Sequence, residues 1–164
     1  MHINVSLRNE SGTQIRKTLR DQGIKTNKYA EVLLGSVYYK NIPKQEYTVR
    51  ILTFKELGFT AEPTLPEIHQ QVINCGFELC PLQLAPYLRL KFTTQRVSKN
   101  KILTGQKKSP DAAINVITPV ISADTNFPKG FYLRNVDNEL WLRGFICDDA
   151  HHWDIHTQVA VVLP

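Results

Sequence analysis

The sequence predicts an α+β fold, with N-terminal short helices and one central helix packed on a mainly antiparallel sheet formed largely by the C-terminal half. Three observations predict it. Helix start and stop signals, such as Ser11 with Gly23 and Thr64 with Gly76, are confined to the first half. From Ile114 onward the apolar residues fall into short strand-like runs. Between two of those runs, Asn135-Val136-Asp137-Asn138 has the composition of a hairpin turn. Helices first and hairpin-linked strands afterwards separate this pattern from a doubly wound α/β fold. A chain of 164 residues, here taken as one domain over 1–164, is long enough to build its own core.

The first helix is expected after Ser11, a good N-cap, because Ile15 and Leu19 recur four residues apart and Gly23 provides a stop. Arg16, Lys17 and Arg20 lie on its outer face. A second helix is expected from Thr26, with Tyr29, Val32 and Leu33 on one face and Gly35 at its end. Tyr47 to Leu52 is dominated by β-branched and aromatic residues and reads as a strand. Thr53 and Glu56 have capping-box spacing, which predicts one helical turn ending at Gly58.

The same spacing recurs at Thr64 and Glu67, with Pro66 in the first turn and Leu65, Ile68 and Val72 on one face. Beyond a turn from Cys80-Pro81 to Ala85-Pro86, the alternation of Leu88, Leu90 and Phe92 with Arg89 and Lys91 predicts a half-buried strand. Thr93 to Pro110 should be a long polar loop. Strands are then expected around Ile114 to Val120, Phe131 to Arg134, Glu139 to Ile146 and Gln158 to Leu163.

With 42% apolar and 21% charged residues the composition is that of a globular protein. Met1 to Leu7 alternates polar with apolar residues, unlike a secretory leader. No run approaches the ~20 apolar residues that span a bilayer. These features predict a cytoplasmic protein with no membrane contact. Cys75, Cys80 and Cys147 form no CxxC pair, and they read as buried free thiols.

The segments Glu56-Leu57-Gly58-Phe59, Pro66-Glu67-Ile68, Gly76-Phe77-Glu78-Leu79-Cys80-Pro81, Leu88-Arg89-Leu90 and Trp141-Leu142-Arg143-Gly144-Phe145 resemble those of a set of small uncharacterised bacterial proteins. The resemblance extends from about Ile15 to the last strand. Some members of the set carry a helicase label, yet this chain has no GxxxxGK[ST] loop to hold a nucleotide, and no cofactor is expected. The resemblance implies a bacterial or phage origin and transfers no site. Where the set continues after Thr94-Gln95 with acidic and neutral residues, this chain has Arg96, Lys99 and Lys101.

Three constellations are candidates for function. Trp141 and Arg143 share one face of a strand, opposite Leu140 and Leu142, so that Trp141 and Tyr132 would mark an exposed apolar patch for a protein partner if Leu140 and Leu142 face the core. Burial of Trp141 is equally compatible with the pattern. The leading expectation is a non-enzymatic protein-binding or regulatory protein acting there through Trp141, Tyr132 and Arg143.

The net charge is +5, and seven basic residues with no acid lie between Arg89 and Pro110. Arg96, Lys99, Lys101, Lys107 and Lys108 would serve a nucleic-acid-binding module, since each cation near a phosphate releases a counterion. A single aromatic residue there, Phe92, argues against a stacking platform for single strands. Finally, an extended chain over Asp148 to His156 would put His152, Asp154 and His156 on one face, a ligand set for a divalent metal and a basis for a small hydrolase or transferase. Acid–base pairs such as His69 with Glu67 or Glu78, and His152 with Asp149, are available on the same terms.

Overall fold

The computed structural model describes residues 1–101 and 109–164. In chain order they form β1 (His2–Leu7), α1 (Gly12–Asp21), β2 (Lys25–Thr26), α2 (Lys28–Gly35), β3 (Gln45–Thr53), α3 (Leu65–Asn74), α4 (Leu84–Lys91), β4 (Ile114–Val116), β5 (Gly130–Val136), β6 (Glu139–Phe145) and β7 (Gln158–Val162). The strands make one sheet in the order β1-β3-β7-β4-β5-β6-β2. The pairs β4–β7 and β2–β6 are parallel and the others antiparallel, so the fold is α+β. No helix among the described residues is long and apolar enough to cross a membrane.

Local chemistry sets most of these boundaries. Ser11 caps α1 through its side chain while Gln14 returns the bond to the Ser11 N–H at 2.7 Å, and Gly23 takes the left-handed conformation past the helix end. Thr64 and Glu67 do the same for α3. Helix α2 starts at Lys28, two residues later than expected, because Asn27 is its N-cap and accepts the Ala30 N–H at 2.9 Å, while Thr26 belongs to β2. Thr53 and Glu56 close the expected turn, with the Thr53 N–H donating to Glu56 at 2.6 Å. Asp137 and Asn138, both at positive φ, form the two-residue connection of the β5–β6 hairpin.

One expected strand is a helix. Leu84–Lys91 is α4, and every residue from Leu84 to Arg89 is buried, so the segment has no polar face from which a 3.6-residue period could be read. Pro86 fits because it is the third helical residue, where the missing N–H has no intrahelical acceptor in any case. The polar–apolar alternation at residues 1–7 is that of edge strand β1.

Strand alternation divides the core between the two sheet faces. On one face Val5, Leu7, Val49, Phe131, Leu133, Leu142 and Val162 pack against Ile15 and Leu19 of α1, Leu33 and Leu34 of α2, and Leu84 and Leu88 of α4. On the other, Leu52, Phe54, Val159 and Val161 meet Ile68 and Val72 of α3, with Trp153 buried among them. Tyr132, Arg134, Trp141 and Arg143 belong to this second face.

Candidate functional site

Trp141 enters from β6 beside the short edge strand β2, directly opposite Lys25. Residues opposite each other in a ladder project to the same face, and the Lys25 ammonium lies 5.7 Å from the centre of the indole ring. On the neighbouring strand position the Arg143 guanidinium lies 5.0 Å from the same ring. Two cations thus lie over the indole ring, an arrangement favoured by the negative face of its π-system. It stays half-buried.

The expected three-residue patch is corrected here. Tyr132 and Arg143 are only 8% and 4% exposed. They sit opposite each other on β5 and β6, and the Arg143 Nε–H donates to the Tyr132 hydroxyl at 2.8 Å. A pair satisfied in this way inside the sheet presents little surface, so of the three only Trp141 is available to a partner.

At the β2 edge of the sheet Trp141 also borders a cleft of about 250 Å³ whose other lining residues are Arg16, Leu19, Arg20, Ile24, Lys25, Thr26 and Glu31, although its side chain projects to the sheet face opposite α1. Helix α1 contributes the arginines, because Arg16 and Arg20 are four residues apart and share a face. Glu31 is held by both neighbours: Arg16 Nε lies 2.9 Å from its carboxylate and the Thr26 hydroxyl donates to it at 2.7 Å. Lys25 pairs with Glu139 at 2.7 Å. Arg20 is exposed and forms no ion pair among the described residues. Of the lining residues Arg16, Arg20 and Lys25 are basic and Glu31 is acidic; with Arg16 paired to Glu31 and Lys25 to Glu139, the positive charge of the rim comes from Arg20. The outer face of α1 was legible in the sequence, but its meeting with Trp141 depends on the β2–β6 pairing of two residues, which no periodicity announces.

The basic stretch is less available than its composition suggests. Arg89 is fully buried. Burial lowers its pKa to about 10. The Arg96 guanidinium makes two bonds to Asp111, at 2.8 and 3.0 Å, and the Lys99 N–H donates to the same carboxylate at 2.7 Å. Lys101 lies 2.9 Å from Asp137. Lys99 itself is exposed. Lys107 and Lys108 lie outside the described residues. Asp111 follows the run in sequence, and the fold brings it back over Arg96 to neutralise it.

The bonds from Arg96 and then from the Lys99 backbone hold the Asp111 pKa at about 2, below the ordinary aspartate value. A carboxylate whose folded pKa is depressed stabilises the native state above the unfolded pKa, about 4, and loses that contribution as the pH falls toward 2. Asp111→Asn should therefore lower stability at neutral pH, with the gap to the wild-type protein closing between about pH 4 and pH 2. Urea unfolding of both proteins at several pH values checks this. Both side chains are partly solvent-exposed, so the effect should be modest.

The metal reading is also corrected. Among the described residues no group of three or more His, Cys, Asp or Glu side chains is arranged to hold a metal ion. His152, Asp154 and His156 are not on an extended strand. The chain turns at Ile155-His156, where the Asp154 carboxylate accepts the His156 N–H at 2.8 Å, while His152 Nδ1 sits 2.7 Å from the Glu62 carbonyl oxygen. Burying Trp153 against Phe54 and Phe145 fixes this path.

Glu67 is engaged by the Thr64 cap, which lowers its pKa, and His69 bonds the Thr118 backbone with its own pKa lowered by burial. The cysteines are free, but of the three only Cys80 is fully buried as expected: Cys75 is exposed, and Cys147 is half-buried, where burial pushes its thiol up to about 11. Compared with known proteins, the chain matches no family model, no curated protein and no solved structure.

Proposed function

We propose that this is a protein-binding, regulatory protein of the bacterial group it resembles, and that its partner docks at the Trp141 cleft. The observation that carries this is a half-buried indole with Lys25 and Arg143 over its ring, beside a cleft rimmed by Arg16 and Arg20. Tryptophan and arginine are the residue types that most often dominate protein interfaces, because they combine a large apolar area with directed polar contacts. The positive rim selects for an acidic partner surface and speeds its approach.

The test is retention of a partner from native extract by the wild-type protein and by the double substitution Trp141→Ala with Arg20→Glu. One stoichiometric protein should bind the wild-type chain, and the double substitution should weaken it by at least about 2 kcal/mol, roughly thirtyfold in Kd. The variant's circular dichroism should be unchanged. A partner held equally well by both proteins would exclude the cleft as the docking site.

A further inference from the structure

Strand β1 lies at the opposite end of the sheet from the Trp141 cleft, and one of its edges is open. Directly opposite residues in an antiparallel ladder alternate between pairs that exchange backbone hydrogen bonds and pairs that do not. The Ile51 N–H donates to Met1 O at 3.2 Å, and the register continues as Ile3 with Val49, Val5 with Tyr47 and Leu7 with Gln45. The odd residues of β1 therefore bond to β3. Consistently, the even residue Thr48 of β3 accepts from Leu163 on the far side.

His2, Asn4 and Ser6 must then direct their N–H and C=O groups away from the sheet, and all three residues are exposed. Among the described residues no backbone group bonds to them there. Edge strands are ordinarily protected by lysine, proline or a bulge. Over these six residues β1 has none, and it carries no formal charge with histidine neutral.

We propose that this edge is a dimer interface, in which a second copy adds its own β1 antiparallel about a two-fold axis at Asn4. The sequence is self-complementary in that register. Asn4 meets Asn4 of the second copy and His2 meets its Ser6, which are the residues with outward backbone groups. Ile3 meets Val5 of the second copy on the core face. A slip of one residue would set polar against apolar side chains throughout.

Charge selects the same register. Arg50 stands beside His2, and Glu46 beside Ser6. The joined row therefore runs Arg50, His2, then Ser6 and Glu46 of the second copy, and the two-fold repeats it. An axis at Val5 would instead place His2 opposite Arg8 of the second copy, with Arg50 alongside. Like charges in one row are destabilising.

Sedimentation of the full chain should give twice the monomer mass of 18.8 kDa. Asn4→Pro removes an outward N–H that β3 does not use and should give the single mass with an unchanged circular dichroism spectrum. Asn4→Lys, which sets two ammonium groups opposite each other on the solvent side, should do the same if the proline variant fails to fold.

In a Cys75→Ser background, Asn4→Cys should cross-link to its own copy on mild oxidation, since bonded antiparallel pairs bring Cα atoms to about 5.5 Å. His2→Cys should cross-link only when mixed with Ser6→Cys. A wild-type chain of single mass, a dimer that survives both Asn4 variants, or an edge that pairs only with a different protein would each overturn the proposal.

Discussion

Arg89→Leu should destabilise the protein by about 3 kcal/mol, measured by urea unfolding, although it removes a cation that the sequence places in the basic run. The Arg89 guanidinium is fully buried, and among the described residues its bonds are to neutral oxygens, donated to Gln95 Oε1 at 2.5 Å, to Phe92 O and to Arg134 O at 3.4 Å. Leucine would leave the buried Gln95 and Arg134 oxygens and the partly buried Phe92 carbonyl without this donor, at about 1–3 kcal/mol for each buried one, offset in part because a charge need no longer be desolvated.

Gln95 carries the effect further. Its amide donates to Ala112 O at 2.8 Å and to Leu133 O at 3.1 Å, so the chain after α4 is tied to the sheet through the same cluster. A change below about 1 kcal/mol would show that the cluster reorganises around leucine at little cost.

Gly144→Ala should lower stability by a similar amount, about 3 kcal/mol, which for a domain of this size is a fall in Tm of roughly 10 °C. A Cβ at Gly144 would fall 2.6 Å from the Tyr29 carbonyl carbon and 2.7 Å from the Ala30 nitrogen, both backbone atoms of α2. Neither can rotate away. The approach is also locked by Asn27, whose side-chain oxygen accepts from Ala30 N and from Gly144 N, at 2.9 and 2.8 Å, while its amide donates to Gly144 O at 3.0 Å. One side chain thus caps α2 and continues the bonding of β6. A Tm within about 2 °C of the wild-type value would mean that α2 can shift on the sheet without loss.

What could be read in advance follows from the range of the interactions involved. Ser11 with Gln14 and Thr64 with Glu67 act within four residues, so these helix starts are written locally. The Asp137-Asn138 turn is local for the same reason. Helix α4 has a strand-like pattern because Leu84 to Arg89 are buried on every side, which erases the amphipathic signal. For the candidate sites, the sequence singled out Trp141 with Arg143 beside it, but not Lys25. Lys25 lies far from it along the chain and meets it only through β2–β6 pairing.

The sequence by itself determined the α+β class, most helix starts, the hairpin and the free state of the cysteines, because each rests on residue type and near-neighbour spacing. Only the tertiary structure decided which polar residues remain available. It turned Arg89, Tyr132 and Arg143 inward, paired Arg96 with Asp111 and Lys101 with Asp137, and kept His152 and His156 from meeting Asp154 as ligands. The physical reason is that burial and ion pairing depend on groups brought together from distant parts of the chain, whereas composition counts charges without their partners.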